Sequence, residues 1–300
     1  MNLNKLTTET RNPKTFNIDE LSVLETLQLM NEEDHYVAEA VKNELESIEK
    51  VVKQTIHCLK NDGRLIYVGA GTSGRIGILD AVECPPTFGM DPNKVVGLLA
   101  GGINQAFAKE EAEDSYDLGI EDMKNINLNE NDILIGMAAS GRTPYVIGAL
   151  DYANSIHAST ASITCNKGAE ISKHANLVIE IDNGPEILTG STRLKAGTSQ
   201  KLVCNMISTV SMIGLGKVYE NLMVDVDVSN EKLYQRWLNI VCVATGCEED
   251  EAKTYYEPSH HNAKTAIVMI LLGMDYETAK SSLERNDGFV KRVIKNEKKA

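Results

Sequence analysis

Arg64-Leu65-Ile66-Tyr67-Val68-Gly69-Ala70-Gly71-Thr72-Ser73-Gly74-Arg75 is a short apolar run that ends in glycines, small hydroxyl residues and a Gly-Arg pair. An uncharged run of this length suits a buried strand, and the glycine turn after it suits a strand-to-helix junction. The pattern recurs at Asp132-Ile133-Leu134-Ile135-Gly136-Met137-Ala138-Ala139-Ser140-Gly141-Arg142-Thr143-Pro144. Such turns leave backbone N–H groups without partners at a helix N-terminus, where an anion binds best. Two of them in one parallel sheet imply a single phosphorylated small molecule held between them.

Outward from these stretches, apolar runs alternate with helical spacing. Strands are expected at 64–69, 94–100, 132–138, 159–164 and 176–181, and helices at 73–82, 105–120, 144–155 and 195–214. This alternation predicts an α/β fold, a parallel five-stranded sheet flanked by helices with right-handed crossovers. Ligands of such sheets bind beyond the carboxyl ends of the strands, at a switch in strand order, and both turns fall on that edge.

Upstream, Asn17 with Glu20 reads as a capping box ahead of an apolar stripe of Leu21, Leu24, Leu27 and Leu29. A second helix reads through Val37, Val41, Leu45, Ile48, Val52, Ile56 and Leu59, with a stop at Asn61-Asp62-Gly63. After about 230 the strand signal ends, and short helices read at 231–246, 248–256, 261–272, 275–284 and 288–297. The expected division is an N-terminal helical segment at 1–62, a sheet domain at 63–229 and a small C-terminal helical subdomain at 230–300, with a frayed tail at 298–300.

The chain has 300 residues and a net charge of −13, which argues against sequence-independent nucleic-acid binding, since that needs many cationic phosphate contacts. Six scattered cysteines with no C-x-x-C pair predict neither a disulfide framework nor a zinc knuckle. No apolar run is long enough to span a bilayer, and the polar N-terminus lacks a signal-peptide core, so the expectation is a soluble cytoplasmic protein.

Gly69, Gly71 and Gly74 fit G-x-G-x-x-G, yet the next strand ends Leu98-Leu99-Ala100-Gly101-Gly102, with no carboxylate for a ribose. Arg75-Ile76 stands where a P-loop needs Lys and Ser/Thr. The hydroxyls of Thr72, Ser73, Ser140 and Thr143, with the backbone of Gly71 and Gly141, suit a terminal phosphate monoester instead. The competing reading is that they only cap their helices. Arg75 and Arg142 are either ligands or helix-surface residues.

The donor-rich stretch from Glu186 to Lys201 opens a long helix on the same edge and reads either as a second binding wall or as an ordinary capped loop. Glu186, Ser191 and Lys195 are its candidate binding residues. For acid–base work the candidates are Glu83, in Asp80-Ala81-Val82-Glu83-Cys84-Pro85-Pro86, and Glu113, in Glu110-Glu111-Ala112-Glu113-Asp114-Ser115. The Pro-Pro pair is expected to stop the first helix, and the acidic run around Glu113 also fits a solvated face. His260 and His261 lack a ligand-spaced partner, which favours a surface or capping role over a metal.

These residues carry a resemblance along almost the whole chain. Gly69–Arg75, Asp80–Thr87, Ala112–Ser115, Ala138–Tyr145, Thr189–Thr198 and Asn221–Val226 resemble the N-acetylmuramic acid 6-phosphate etherases, members of the sugar-isomerase (SIS) phosphosugar-binding group. In the tail, Lys264–Met269 fits the family, whereas Pro258-Ser259-His260-His261 departs from it. The resemblance implies an SIS-type sheet and a cofactor-free lyase of cell-wall sugar recycling that splits the ether joining D-lactate to carbon 3 of the sugar. It maps the family's two glutamates onto Glu83, as the acid assisting lactate departure, and Glu113, as the carbon-2 base. It further implies a homodimer with sites near the subunit interface, and no metal.

Two rivals share the fold. A non-catalytic phosphosugar-binding regulator resembling glucokinase regulatory protein would lack the chemistry. An aldose–ketose isomerase would return the carbon-2 proton to carbon 1. A nicotinamide dehydrogenase trails both.

Overall fold

The computed structural model describes residues 6–102, 110–228 and 230–298. They fall into two compact units, Met1–Val82 with Asn93–Ser208, and Glu83–Pro92 with Thr209–Ala300.

In the first unit, short 3-10 turns lead into α1 (Val23–Lys42) and α2 (Leu45–Lys60). The sheet region follows as β1 (Leu65–Gly69), α3 (Gly71–Phe88), β2 (Val95–Leu99), α4 (Glu110–Glu113), α5 (Tyr116–Asn125) and β3 (Ile133–Met137). It continues through α6 (Pro144–Ser155), β4 (Ser159–Thr164), β5 (Leu177–Glu180) and α7 (Lys195–Gly214). Both α3 and α7 carry the chain from the first unit into the second.

All five strands are parallel, in the order β2-β1-β3-β4-β5. β1 and β3 are fully buried, as expected of strands covered on both faces, and they show no polar alternation. Ile66, Val68, Leu134, Val146 and Leu150 share one core cluster. In register, Gly69 stands opposite both Leu99 and Met137, so the turns after β1 and β3 leave the sheet side by side. The strand order reverses between β1 and β3, which makes this the switch point of the sheet. At the opposite edge, buried Asp132 accepts from the Arg64 backbone N–H and guanidinium, tying the starts of β1 and β3 together.

All five expected strands are present, and four expected helices differ. The Pro-Pro pair does not stop α3, which runs on to Phe88 with Pro85 and Pro86 inside it. Two backbone donors are lost there, but only one further turn follows, closed by Gly89 N–H to the Pro85 carbonyl at 2.9 Å. The helix expected at 105–120 is two helices, because Ser115 accepts from Leu118 N–H and starts α5 afresh; residues 105–109 of that expectation lie outside the described residues. The capping box belongs to Ser22 and Glu25, while Asn17 only opens a 3-10 turn. The apolar series from Val37 to Leu59 crosses a break at Asn43-Glu44 and is shared by α1 and α2.

The second unit holds α8 (Glu231–Thr245), α9 (Glu249–Thr254), α10 (Ala263–Leu272), α11 (Tyr276–Arg285) and α12 (Val290–Glu297). Asn230, Asn262 and Asp275 cap α8, α10 and α11 through their side chains, and Gly246 and Gly273 end α8 and α10 in the left-handed conformation. The core gathers Trp237, Val241, Ile267, Ala279 and Val293. Trp237 is fully buried and meets the Tyr256 ring edge-on at 5.0 Å. His261 stacks on Tyr256 and His260 packs on Tyr276, so both have ring partners. Residues 229, 299 and 300, at the expected subdomain boundary and tail, lie outside the described residues.

Among the described residues no helix is long and apolar enough to cross a membrane, and no group of three or more His, Cys, Asp and Glu could hold a metal. The six cysteines are not in disulfides, and four of them are buried.

Candidate active site

A cavity of about 380 Å³ lies in the first unit where the β1 and β3 turns meet. Ala70, Gly71, Thr72 and Ser73 line it from the first turn, and Ala138, Ala139, Ser140, Arg142, Thr143 and Pro144 from the second. Glu113 and Asp114 add carboxylates from the end of α4.

Both turns depend on glycine, for different reasons. Gly71 has φ +52° with open space around it, so the backbone conformation alone favours glycine there. Gly141 has φ +73°, and a methyl there would also press into Ala169 and to 2.6 Å from Thr164 Oγ1. The 141 turn closes through Gly141 N–H to the Ala138 carbonyl at 3.0 Å.

The hydroxyls divide by partner. Thr143 is the N-cap of α6, but its side chain makes no cap bond; its Oγ1 donates to Glu113 Oε1 at 3.1 Å. The capping alternative therefore fails at this position. Buried Ser73 donates to Gln200 Oε1 on α7 at 2.8 Å. Thr72 and Ser140 have no hydrogen-bond partner for their hydroxyls among the described residues. Pro144 at the first position of α6 removes an N–H that the helix would leave unpaired anyway. The arrangement presents hydroxyls and two helix N-termini to an anion, with carboxylates and the Arg142 guanidinium beside them.

Gly71, Thr72, Ser73, Ser140, Thr143 and Glu113 are thus brought to one cavity, with Gly141 shaping its turn. The other expected site residues have different surroundings. Glu186 is buried and accepts from Lys195 N–H and Ala196 N–H at 3.0 and 2.9 Å, capping α7. Burial pushes its carboxyl up despite those two bonds. Lys195 Nζ lies 2.8 Å from Glu33 Oε2 with both groups buried. Ser191 sits in the turn before α7, its N–H bonded to the Leu188 carbonyl. Glu83 is exposed near the end of α3 and belongs to the second unit.

Thr192 contributes from the donor-rich stretch before α7, and two lining residues without any signal in the sequence, Leu6 and Glu9, come from the N-terminal segment. That segment is held by Thr8, which exchanges hydrogen bonds with the Asn166 side chain and accepts from Gly190 N–H. These contacts link residues more than 150 positions apart, beyond the reach of any local pattern.

Residues 46–154 match the glucokinase regulatory protein N-terminal SIS domain, and residues 113–210 match the SIS domain. The phosphoheptose isomerase GmhA of Neisseria gonorrhoeae superposes with a TM-score of 0.49 at 17% identity, over 63% of this chain and 98% of that one. An N-acetylmuramic acid 6-phosphate etherase of Bacillus cereus strain AH187 is 61% identical over 97% of this chain and its own whole length. One of Bacillus anthracis strain CDC 684 is 60% identical over the same shares. Identity at this level over essentially the whole chain places the protein in the N-acetylmuramic acid 6-phosphate etherase family.

Proposed function

We propose that this chain is a carbon–oxygen lyase that converts N-acetylmuramic acid 6-phosphate and water into N-acetylglucosamine 6-phosphate and D-lactate, in cell-wall sugar recycling. The observation that carries the reading is Glu113, a carboxylate held by Thr143 in a cavity formed by two helix-opening turns at the sheet's switch point. The phosphate rests over the starts of α3 and α6, where the Thr72 and Ser140 hydroxyls and the first-turn N–H groups donate to it. Its binding energy orients the far side of the sugar, where the chemistry occurs.

The reaction runs from the open-chain aldehyde, whose carbonyl acidifies the proton on carbon 2. Glu113 removes that proton, and the enolate expels lactate from carbon 3, the departing oxygen taking a proton from Glu83. Water then adds at carbon 3 of the unsaturated aldehyde and a proton returns to carbon 2, which restores the sugar. The substrate's own carbonyl accepts the electron pair, so the chemistry calls for no redox group. The role of Glu83 comes from its match to the family motif, and that of Glu113 from the motif together with its place in the cavity.

The active form in this reading is a homodimer. Val23, Leu24 and Leu27, which are 80%, 64% and 56% exposed on α1, give an apolar face of the kind that marks an interface. Cysteines outside disulfides and a phosphorylated substrate suit the cytoplasm.

The test is purified protein with N-acetylmuramic acid 6-phosphate and a metal chelator, followed for D-lactate and N-acetylglucosamine 6-phosphate. Equimolar appearance of both supports the reading. Tight phosphosugar binding without lactate overturns it in favour of a non-catalytic regulator, the second reading favoured by the match of 46–154 to the glucokinase regulatory protein domain.

A further inference from the structure

The proposed substrate carries two anionic groups on different parts of the sugar, the phosphate on carbon 6 and the carboxylate of the lactyl group on carbon 3. Helix N-termini and hydroxyls satisfy a phosphate without any cationic side chain. A carboxylate beside carbon 2 faces a different environment. It must lie near Glu113, which takes the carbon-2 proton, and Glu9 and Asp114 line the same cavity. Three carboxylates repel a fourth unless a cation stands among them.

Among the described lining residues one cation is present, Arg142. It is half-buried, and its guanidinium has no ion-pair or hydrogen-bond partner among the described residues. Lys195, the other basic candidate of this edge, is committed to Glu33. Arg142 also directly precedes Thr143, whose hydroxyl donates to Glu113, so its backbone is anchored next to the group that holds the base. A planar guanidinium pairs with a carboxylate through two parallel hydrogen bonds.

We infer that Arg142 recognises the lactyl carboxylate and is the residue by which the site selects an acid-bearing 3-O-substituent. This deepens the etherase reading above and rests on it. The contact exists with substrate and is lost when lactate departs, so it separates substrate from product in binding. The phosphate site treats the two alike.

The experiment compares Arg142→Gln and Arg142→Lys with the unaltered protein, measuring KM for N-acetylmuramic acid 6-phosphate and the inhibition constant of N-acetylglucosamine 6-phosphate, which has the phosphate but no carboxylate. Loss of a charge-assisted pair should raise KM about 10- to 100-fold in Arg142→Gln. The inhibition constant should stay within about twofold, because the phosphate contacts are untouched. Arg142→Lys, which keeps the charge and loses the fork, should fall between.

Parallel loss of both constants would assign Arg142 to the phosphate and overturn the inference, as would an unchanged KM. If Arg142→Gln does not fold, Arg142→Lys decides by the same two constants. Should the unaltered protein bind N-acetylglucosamine 6-phosphate yet release no lactate, the etherase reading fails, and this inference with it, before any variant is made.

Discussion

Lys195 Nζ lies 2.8 Å from Glu33 Oε2, with both side chains almost fully shielded, and this pair joins the start of α7 to the middle of α1. Glu33 also accepts from Lys14 Nζ and from Asn12 Nδ2, each at 2.9 Å. Burial pushes the Glu33 carboxyl up, and the hydrogen bonds from Lys195, Lys14 and Asn12 outweigh it, holding the group below its ordinary 4.5. Removing Glu33 leaves the buried Lys195 ammonium without its carboxylate, whereas removing Lys195 leaves Glu33 its bonds from Lys14 and Asn12. Glu33→Gln should cost about 3–5 kcal/mol in urea denaturation and Lys195→Met less, and the double change Glu33→Leu with Lys195→Met should recover part of the larger loss. Because Glu33 is depressed in the folded state, its contribution is present above 4.5 and lost as pH falls through the folded value. The stability difference between the unaltered protein and Glu33→Gln should therefore shrink on acidification, and a difference that grew would refute the pairing as the cause.

The two glutamates separate in isotope exchange. Glu113→Ala should lose both lactate release and carbon-2 exchange with deuterated water, whereas Glu83→Ala should keep the exchange and lose lactate release. Each should lower kcat by about 10²–10⁴-fold. The opposite pattern would swap the acid and the base.

Phosphate recognition should follow the unpaired hydroxyls. Ser140→Ala and Thr72→Val should each weaken N-acetylglucosamine 6-phosphate binding by about tenfold, the size of one lost hydrogen bond to a charged group. Unphosphorylated N-acetylglucosamine should bind all three proteins equally and weakly. Calorimetric titration measures both, and equal losses for the two sugars would place these hydroxyls on some other part of the ligand.

Helices α5 and α6 touch backbone to backbone. A methyl at Gly148 would overlap the Tyr116 carbonyl, and one at Gly119 the Tyr145 carbonyl. Tyr145 reinforces the contact by donating to Asp122 Oδ2 at 2.6 Å. Gly148→Ala should cost about 3 kcal/mol, the upper end of overpacking, because main chain cannot step aside as a side chain can. Gly71→Ala, with positive φ but open space, should cost about 1–2 kcal/mol in the same thermal or chemical melts. If the two losses were equal, steric overlap would not be what distinguishes them.

The sheet was legible because its strands are continuous apolar runs bounded by turn residues, and the two glycine turns announced the cavity edge. Helix boundaries were less so. Asn17 to Glu20 and Ser22 to Glu25 both satisfy the capping pattern, and only the second pair closes both bonds. The break at Asn43-Glu44 stayed hidden because apolar spacing continues on either side of it. Two prolines side by side gave a correct cost and an incorrect place, since the helix tolerates them one turn from its end. Within the site, the local turns named Gly71, Thr72, Ser73, Ser140 and Thr143, which all reach the cavity or its wall. Lys195 and Glu186 look like ligands in a linear reading, yet their partners are Glu33 on a distant helix and the α7 backbone. Composition marks a donor, and only the fold says to whom it donates.

Trp237 is the chain's single tryptophan, and it lies in the core of the second unit. Its emission is thus an optical label that nature has placed on the helical unit alone. The sheet unit holds no tryptophan, so far-ultraviolet circular dichroism, to which both units contribute, is the signal to set against it. A melt followed by both signals asks whether the units lose structure together. Coincident curves would mean that the two shared helices, α3 and α7, transmit cooperativity along their length; separated curves would give each unit its own melting temperature.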